Sequence, residues 1–191
     1  MRTPLETTSP MERFFGYYPG TIAVITSAHQ EERNVMSAGW HAALSAEPPL
    51  YGVAIGRDRH SYQLIAASGV FAVHFLPFER ADAIAAVGSV SGGSGIDKFE
   101  AFQLASSRGE ATGVPILHDA YIAYECRVQQ VVTTGDHDWI VGEVVALHHR
   151  SEAFDERNLV NTDAVRPTVF YGRSIFEALG TGERAVHAPN R

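Results

Sequence analysis

Two long segments near the C-terminal third constrain this chain more than anything else in it. From Ile122 to Gln129, apolar Ile122, Tyr124, Cys126 and Val128 alternate with Ala123, Glu125, Arg127 and Gln129. That period of two predicts a strand with one buried face and one wetter face. The second segment, DWIVGEVVALHH from Asp138 to His149, is apolar on both faces except for Glu143. It predicts a central strand, covered on both sides within one subunit or at a dimer interface. TTGDH joins the two as a turn. A pair of strands this long, followed by no long helix, points to an antiparallel sheet rather than to βαβ crossovers.

The rest of the chain agrees. Ser9-Pro10 predicts a short helix through Phe14 and Phe15, ended at Pro19-Gly20. Strands are predicted at TIAVITSA, NVMSAGW, LYGVAIG and GVFAVHFL. His29 to Arg33 reads as a turn, and Pro48-Pro49 as a break. Short helices are predicted at Ser61 to Ala67, closed by Gly69, at Glu79 to Val87, and over DKFEAF. SVSGGSGI reads as a flexible loop, residues 103–118 as irregular, and RPTVFYG as a short late strand. Many strands with few, short helices make this a mainly β protein, a barrel with helical decorations. We expect a loose segment at 1–10, one domain at 11–175 and a tail at 176–191.

Composition sets bounds. The 191 residues are 45% hydrophobic and 19% charged, enough for one real core. A net charge of −7 argues against a nucleic-acid surface while leaving room for a local cationic pocket. One cysteine, Cys126, forms no internal disulfide and no CxxC pair; mid-strand, it reads as a buried thiol. The opening MRTPLETTSPMERFF has no apolar core like a signal peptide, and no apolar run reaches the roughly 20 residues of a membrane span. The expectation is a soluble, cytoplasmic protein.

Motifs for several chemistries fail. GxGxxG is absent, SGGSGIDK lacks the Gly-Lys-Ser/Thr of a phosphate loop, and GxSxG is not met. The glycine loop therefore reads as a mobile connection or a lid. His148 and His149 are adjacent on a strand and point to opposite faces, and His137 has no HxH or HxxxH partner. No metal site is expected.

What remains is the stretch from Asn34 to Ile55 and the run RDRHSYQLI after it. Ser37, Ala38, Gly39, Ala42, Ala43, Ser45 and Ala46 are small, so a ligand can lie against the backbone; Trp40 adds one large flat ring. Arg59, His60 and Ser61, with Arg57 as a weaker candidate, open a helix. A phosphate there gains from free N–H groups and the dipole, about 0.3–1 kcal/mol per exposed interaction. Each segment also has a plain alternative: tight packing for the first, a capped helix with solvated charges for the second. Side by side, they suit a flat ring with a phosphate tail.

In their order, NVMSAGWHAALSAEPPLYGVAI, RHSYQLI, GVFAVHFL, DKF at Asp97 to Phe99, YECRV at Tyr124 to Val128 and GDHDWIVGEV at Gly135 to Val144 resemble the flavin reductase-like, FMN-binding split-barrel family, especially its flavoredoxin-like branch. The resemblance covers about residues 15–150. It implies a Greek-key split β-barrel, a homodimer, and FMN (FAD as a variant) near the subunit interface. Asn34 and Ser37, Ala38, Gly39 and Trp40 would lie along the isoalloxazine, and Ser45 would meet the flavin before the Pro pair. Arg59, His60 and Ser61 would meet the phosphate. Lys98 would add a positive charge or pair with a carboxylate. His137 would sit by the ring where relatives place the nicotinamide, as a positioning group or proton donor. Tyr171 and Arg173 fall where the resemblance is poor. The implied activity is an NAD(P)H-dependent flavin reductase, with NADH or NADPH as donor and free flavin, a monooxygenase or another electron-transfer partner as acceptor. A flavoredoxin-type carrier reduced by a protein partner, or a binding protein without catalysis, are the alternatives.

Overall fold

The structure is a computed structural model that describes residues 19–180. The expected loose segment at 1–10 and helix at 10–15 lie outside the described residues.

Strands β2 (Ala23–His29) and β3 (Glu32–Ala38) form a tight antiparallel pair. Gln30 turns between them with φ 55°, so the turn is shorter than His29 to Arg33 suggested. β2 is buried on both faces, because Ala23 and Ile25 enter one core cluster and Ile22 and Val24 enter another. That double burial explains the unbroken apolar run in its sequence. β4 (His41–Ala46) and β5 (Pro49–Gly56) form the next hairpin. β4 was not legible in the sequence, because four of its six residues are exposed and small side chains carry no alternation.

Helix α1 (His60–Ser68) ends at Gly69, whose φ of 71° lets its N–H bond the Ile65 carbonyl at 2.8 Å. β6 (Val70–Phe75), α2 (Ala81–Ser89) and α3 (Lys98–Ala101) follow. Within 103–118, expected to be irregular, β7 (Ser106–Arg108) pairs with β8 (Pro115–Leu117) as a small ribbon. β9 (Ile122–Thr134) and β10 (His137–His149) are the two long strands, joined at Gly135, which takes φ 78°.

The main sheet runs β3-β2-β6-β9-β10-β5-β4, so β10 is central as its sequence implied. β3 and β4 are its two unpaired edges, joined by the Gly39-Trp40 bend. A backbone bond from Ala54 N–H to the Trp40 carbonyl at 2.9 Å ties that bend to β5. A second sheet holds β1 (Gly20–Thr21), β11 (Thr168–Gly172) and β12 (Ile175–Ala178). β12 thus carries structure past residue 175, into the segment expected to be tail. Its Phe176 packs on Phe170 of β11 with ring centroids 5.1 Å apart.

One expectation about β9 is corrected. Glu125, assigned to the wetter face, is fully buried. The loop after β7 folds over it: the N–H groups of Glu110, Ala111 and Thr112, the Thr112 hydroxyl and His148 Nε2 all bond its carboxylate, at 2.6–3.3 Å. Burial works to raise its pKa, but those hydrogen bonds outweigh it and hold the carboxyl at about 2. Cys126, next to it, is buried as expected, and burial pushes its thiol up to about 12. Among the described residues, no helix is long and apolar enough to cross a membrane, and no three His, Cys, Asp or Glu cluster as metal ligands. His148 and His149 do point apart, to Glu125 and to Phe154.

Candidate functional site

A cavity of about 610 Å³ lies at the β3–β4 seam, between the start of α1, the end of α2, the β9–β10 turn and the β11–β12 hairpin. That size is ordinary for a small-molecule or cofactor site. The elements come together for local reasons. β3 stops at Ala38, so Gly39 and Trp40 cross from one sheet edge to the other. Gly39 leans on the Phe170 ring, where a Cβ would stand 3.3 Å from two ring carbons, so the crossing is close.

At one end of the cavity the donors gather. Arg59 is the N-cap of α1 in extended conformation, and His60 and Ser61 open the helix. The first-turn N–H groups of a helix have no intrahelical partner. Asn34 Nδ2 donates to Ser61 Oγ at 2.9 Å, both side chains buried, which leaves the Ser61 hydroxyl hydrogen to be given elsewhere. His60 Nε2 lies 2.9 Å from Glu32 Oε1. Arg59 is more than half exposed, and its nearest carboxylate, Asp58, is 3.8 Å away. Above this group sits Gly92 of the glycine loop. A Cβ there would fall 2.5 Å from Asn34 Oδ1 and 2.7 Å from His60 Cδ2. The loop therefore needs glycine to close over this end.

Lys98 lines the same cavity and, among the described residues, has no carboxylate partner. Its ammonium instead donates to the Val35 and Val87 carbonyls, each at 2.9 Å, tying β3 to α2. Burial, with Arg59 nearby, draws its pKa down to about 8. The rest of DKF serves the same joint. Asp97 caps α3 by accepting from the Phe99 and Glu100 N–H groups and pairs with Arg33 at 2.8 Å; Arg33 lies over the Phe99 ring at 4.4 Å.

The other end is flatter. Ser37, Ala38, Gly39 and Trp40 all line the wall. Ser37 donates to the Ile84 carbonyl, so its hydroxyl is already committed to packing β3 on α2. The Trp40 ring is exposed, and His137 meets it at 5.0 Å between centroids, tilted 60°. His137 Nδ1 sits 2.8 Å from Asp136 Oδ1, which fixes Nδ1 as the donor. Nε2 is left on the side of Gly56, within 3.7 Å of where a Cβ there would lie.

Of the residues named from sequence, Asn34, Ser37 to Trp40, Arg59, His60, Ser61, Lys98 and His137 therefore share one cavity. Two do not. Ser45 sits on β4 opposite Leu50, beyond a register shift after Ala43, and does not line the wall. Arg57 is spent elsewhere: Nε and Nη2 bond Asp138 at 2.9 and 2.6 Å. Tyr62 also donates to Asp138, at 2.7 Å. The Arg57 and Tyr62 bonds hold the Asp138 carboxyl down at about 2. This trio buttresses the turn that carries His137. Sequence reading missed Gly56 and Gly92, although tight IGR and SGGSG glycines were a visible signal. It left Arg173 open, because only the β11–β12 hairpin brings that residue to the cavity.

Comparison with known proteins follows this geometry. Residues 15–178 match the model of the flavin reductase like domain. An uncharacterized protein of Aeropyrum pernix is 33% identical over 157 residues, 82% of this chain, and the chain spans 59% of that relative's length. An NADH-dependent FAD reductase of Streptomyces globisporus is 30% identical over 135 residues, 71% of this chain and 72% of that one. Among solved structures, an FMN-binding protein of Thermus thermophilus with bound 1-cyclohex-2-enone superposes with a TM-score of 0.84 at 35% identity, covering 97% of this chain and all of that one. The fold is the split barrel of the flavin reductases, and this chain belongs to the flavin reductase like domain family.

Proposed function

We propose that the cavity binds FMN and that the protein is an NAD(P)H-dependent flavin reductase. One observation carries this reading: a wall of small residues at Ser37 to Gly39 runs directly into the start of α1, where the Arg59 guanidinium is exposed and the Ser61 hydroxyl has its hydrogen left to give. A flat ring with a phosphate tail needs both surfaces, contiguous and in that order. The names of the Streptomyces and Thermus relatives support it.

The residues fit the group. The α1 N–H groups, the Ser61 hydroxyl and Arg59 would hold the phosphate, as charge-assisted hydrogen bonds at a helix start. Asn34 fixes Ser61, and Gly92 lets the loop close over both. The backbone from Ser37 to Trp40 would lie along the ring, where N–H groups favour negative charge. Bound flavin would supply the redox chemistry, taking a hydride from the nicotinamide with a proton from solvent and passing both electrons to an acceptor. Trp40 and His137 bound the open side, and His137 Nε2 can position a donor or hold a proton there. Exposed Val131, Val132 and Leu147 on β9 and β10 support a homodimer, and the protein would work in the cytoplasm.

The test is an absorbance spectrum of protein incubated with FMN and desalted, then treated without oxygen with NADH and NADPH separately. A yellow protein bleached by one of them is expected. A protein that takes up no FMN would overturn the reading; one that takes up FMN but resists both donors would make it a carrier instead.

A further inference from the structure

Arg173 is out of place by local rules. β11 and β12 pair through Gly172 and Ile175, so Arg173 and Ser174 are the two central residues of a two-residue hairpin. Both have positive φ, 49° and 63°, after Gly172 at 93°. Such a turn favours Asn-Gly or Gly-Gly, because a side chain at positive φ is strained. Arg-Ser is a poor choice there, so turn chemistry does not explain the arginine. An outlier of this kind is a reason to look for function.

The hairpin is firmly held. Thr168, buried, donates to the Leu76 carbonyl at 3.1 Å; Leu179 N–H bonds the Pro167 carbonyl at 2.8 Å; Phe170 packs on Phe176 and Gly39. Its apex brings Arg173 to the wall of the cavity. Arg173 is exposed and, among the described residues, has no ion pair or hydrogen bond. A cation placed on a strained turn, aimed at a cavity and left unpaired is placed for an anion.

An anion at Arg59 to Ser61 would have donors of its own. Those residues sit by Asn34, whereas the hairpin leans on Gly39. Gly39 adjoins Trp40, which with His137 faces the open side of the proposed ring.

We propose that Arg173 binds the diphosphate of the nicotinamide dinucleotide donor, and so sets the affinity for that donor without contributing to flavin affinity. This rests on the flavin reductase reading above.

The test compares wild type with Arg173→Gly, which removes the side chain and relieves the positive φ, and with Arg173→Lys. FMN dissociation constants come from fluorescence quenching. Steady-state rates are measured with NADH, with NADPH and with 1-benzyl-1,4-dihydronicotinamide, a donor that carries no phosphate. For Arg173→Gly we expect an apparent KM for NADH or NADPH raised about tenfold, equivalent to about 1.4 kcal/mol. Its kcat and FMN affinity should stay within twofold, and its rate with the phosphate-free donor should match wild type. Arg173→Lys should recover part of the loss. An unchanged KM overturns the proposal. So does a tenfold weaker FMN affinity, which would make Arg173 a flavin ligand, or an equal loss with the phosphate-free donor, which would make its role structural. A wild type that binds FMN but oxidises neither nicotinamide nucleotide overturns the donor reading itself, and the proposal with it.

Discussion

Two groups of hydrogen-bond donors in the molecule resemble each other, and the chain fills only one of them with a carboxylate of its own. Around Glu125, three backbone N–H groups, a hydroxyl and an imidazole converge on a carboxylate that belongs to the chain. At the start of α1, the Ser61 hydroxyl and the exposed Arg59 guanidinium line a cavity instead. The first cradle is closed and buried; the second opens to a cavity. Hydrogen-bonding capacity that a fold consumes internally stabilises the fold, and capacity left facing a cavity points to a ligand. The difference separates structure from function more clearly than charge does, since each cradle contains both signs.

The comparison breaks most readily at Glu125. Replacing it with Ala leaves a buried set of donors unpaired and should cost about 3–5 kcal/mol in urea unfolding. A loss under 1 kcal/mol would mean that the closed cradle is ornamental. Acid should act next. His74 is fully buried; burial draws its pKa down to about 4, against the bond it makes to the Val24 carbonyl. Because the unfolded chain binds that proton more readily, stability should fall as pH drops from about 6.5 to 4, by on the order of 3 kcal/mol. Glu125, held at about 2, adds a further loss as pH falls from 4.5 toward 2. Melting curves across this range should show two successive declines, and His74→Gln should remove the first.

The open cradle sharpens the contrast. Arg59→Ala should leave the melting of flavin-free protein within about 0.5 kcal/mol, because Arg59 is exposed and weakly paired, yet weaken FMN binding about tenfold. Ser61→Ala behaves differently, since it also strands Asn34 Nδ2 in the core. It should cost about 1–3 kcal/mol without any ligand. Equal melting losses for the two variants would count against the assignment. The smallest effect concerns Lys98, with a pKa of about 8 in the flavin-free protein. FMN affinity should decline a few-fold as pH rises from 7 to 9, and Lys98→Met should abolish that slope in fluorescence titrations.

Local signals made part of this legible in advance. β2, β9 and β10 declare themselves by burial on one or both faces, and α1 by its cationic opening and closing glycine. The residues from Asn34 to Trp40, with Arg59 to Ser61, share a wall because both segments lie close to the barrel seam. Burial by a distant loop is invisible to a period of two, so Glu125 was read as wet. Arg57 was read as a weaker phosphate candidate because its partner, Asp138, lies 81 residues away. Arg173 had no local signal at all: a strained turn shows itself in backbone angles, which composition does not encode.

The seam has one more consequence. β3 and β4 present unpaired edges, which in a sheet protein invite association with other chains. Here the cavity runs along the bend that links those edges. A ligand lodged there would lie against the β3 edge and the bend, while β4, none of whose residues lines the cavity, would stay open to pairing with a neighbouring chain.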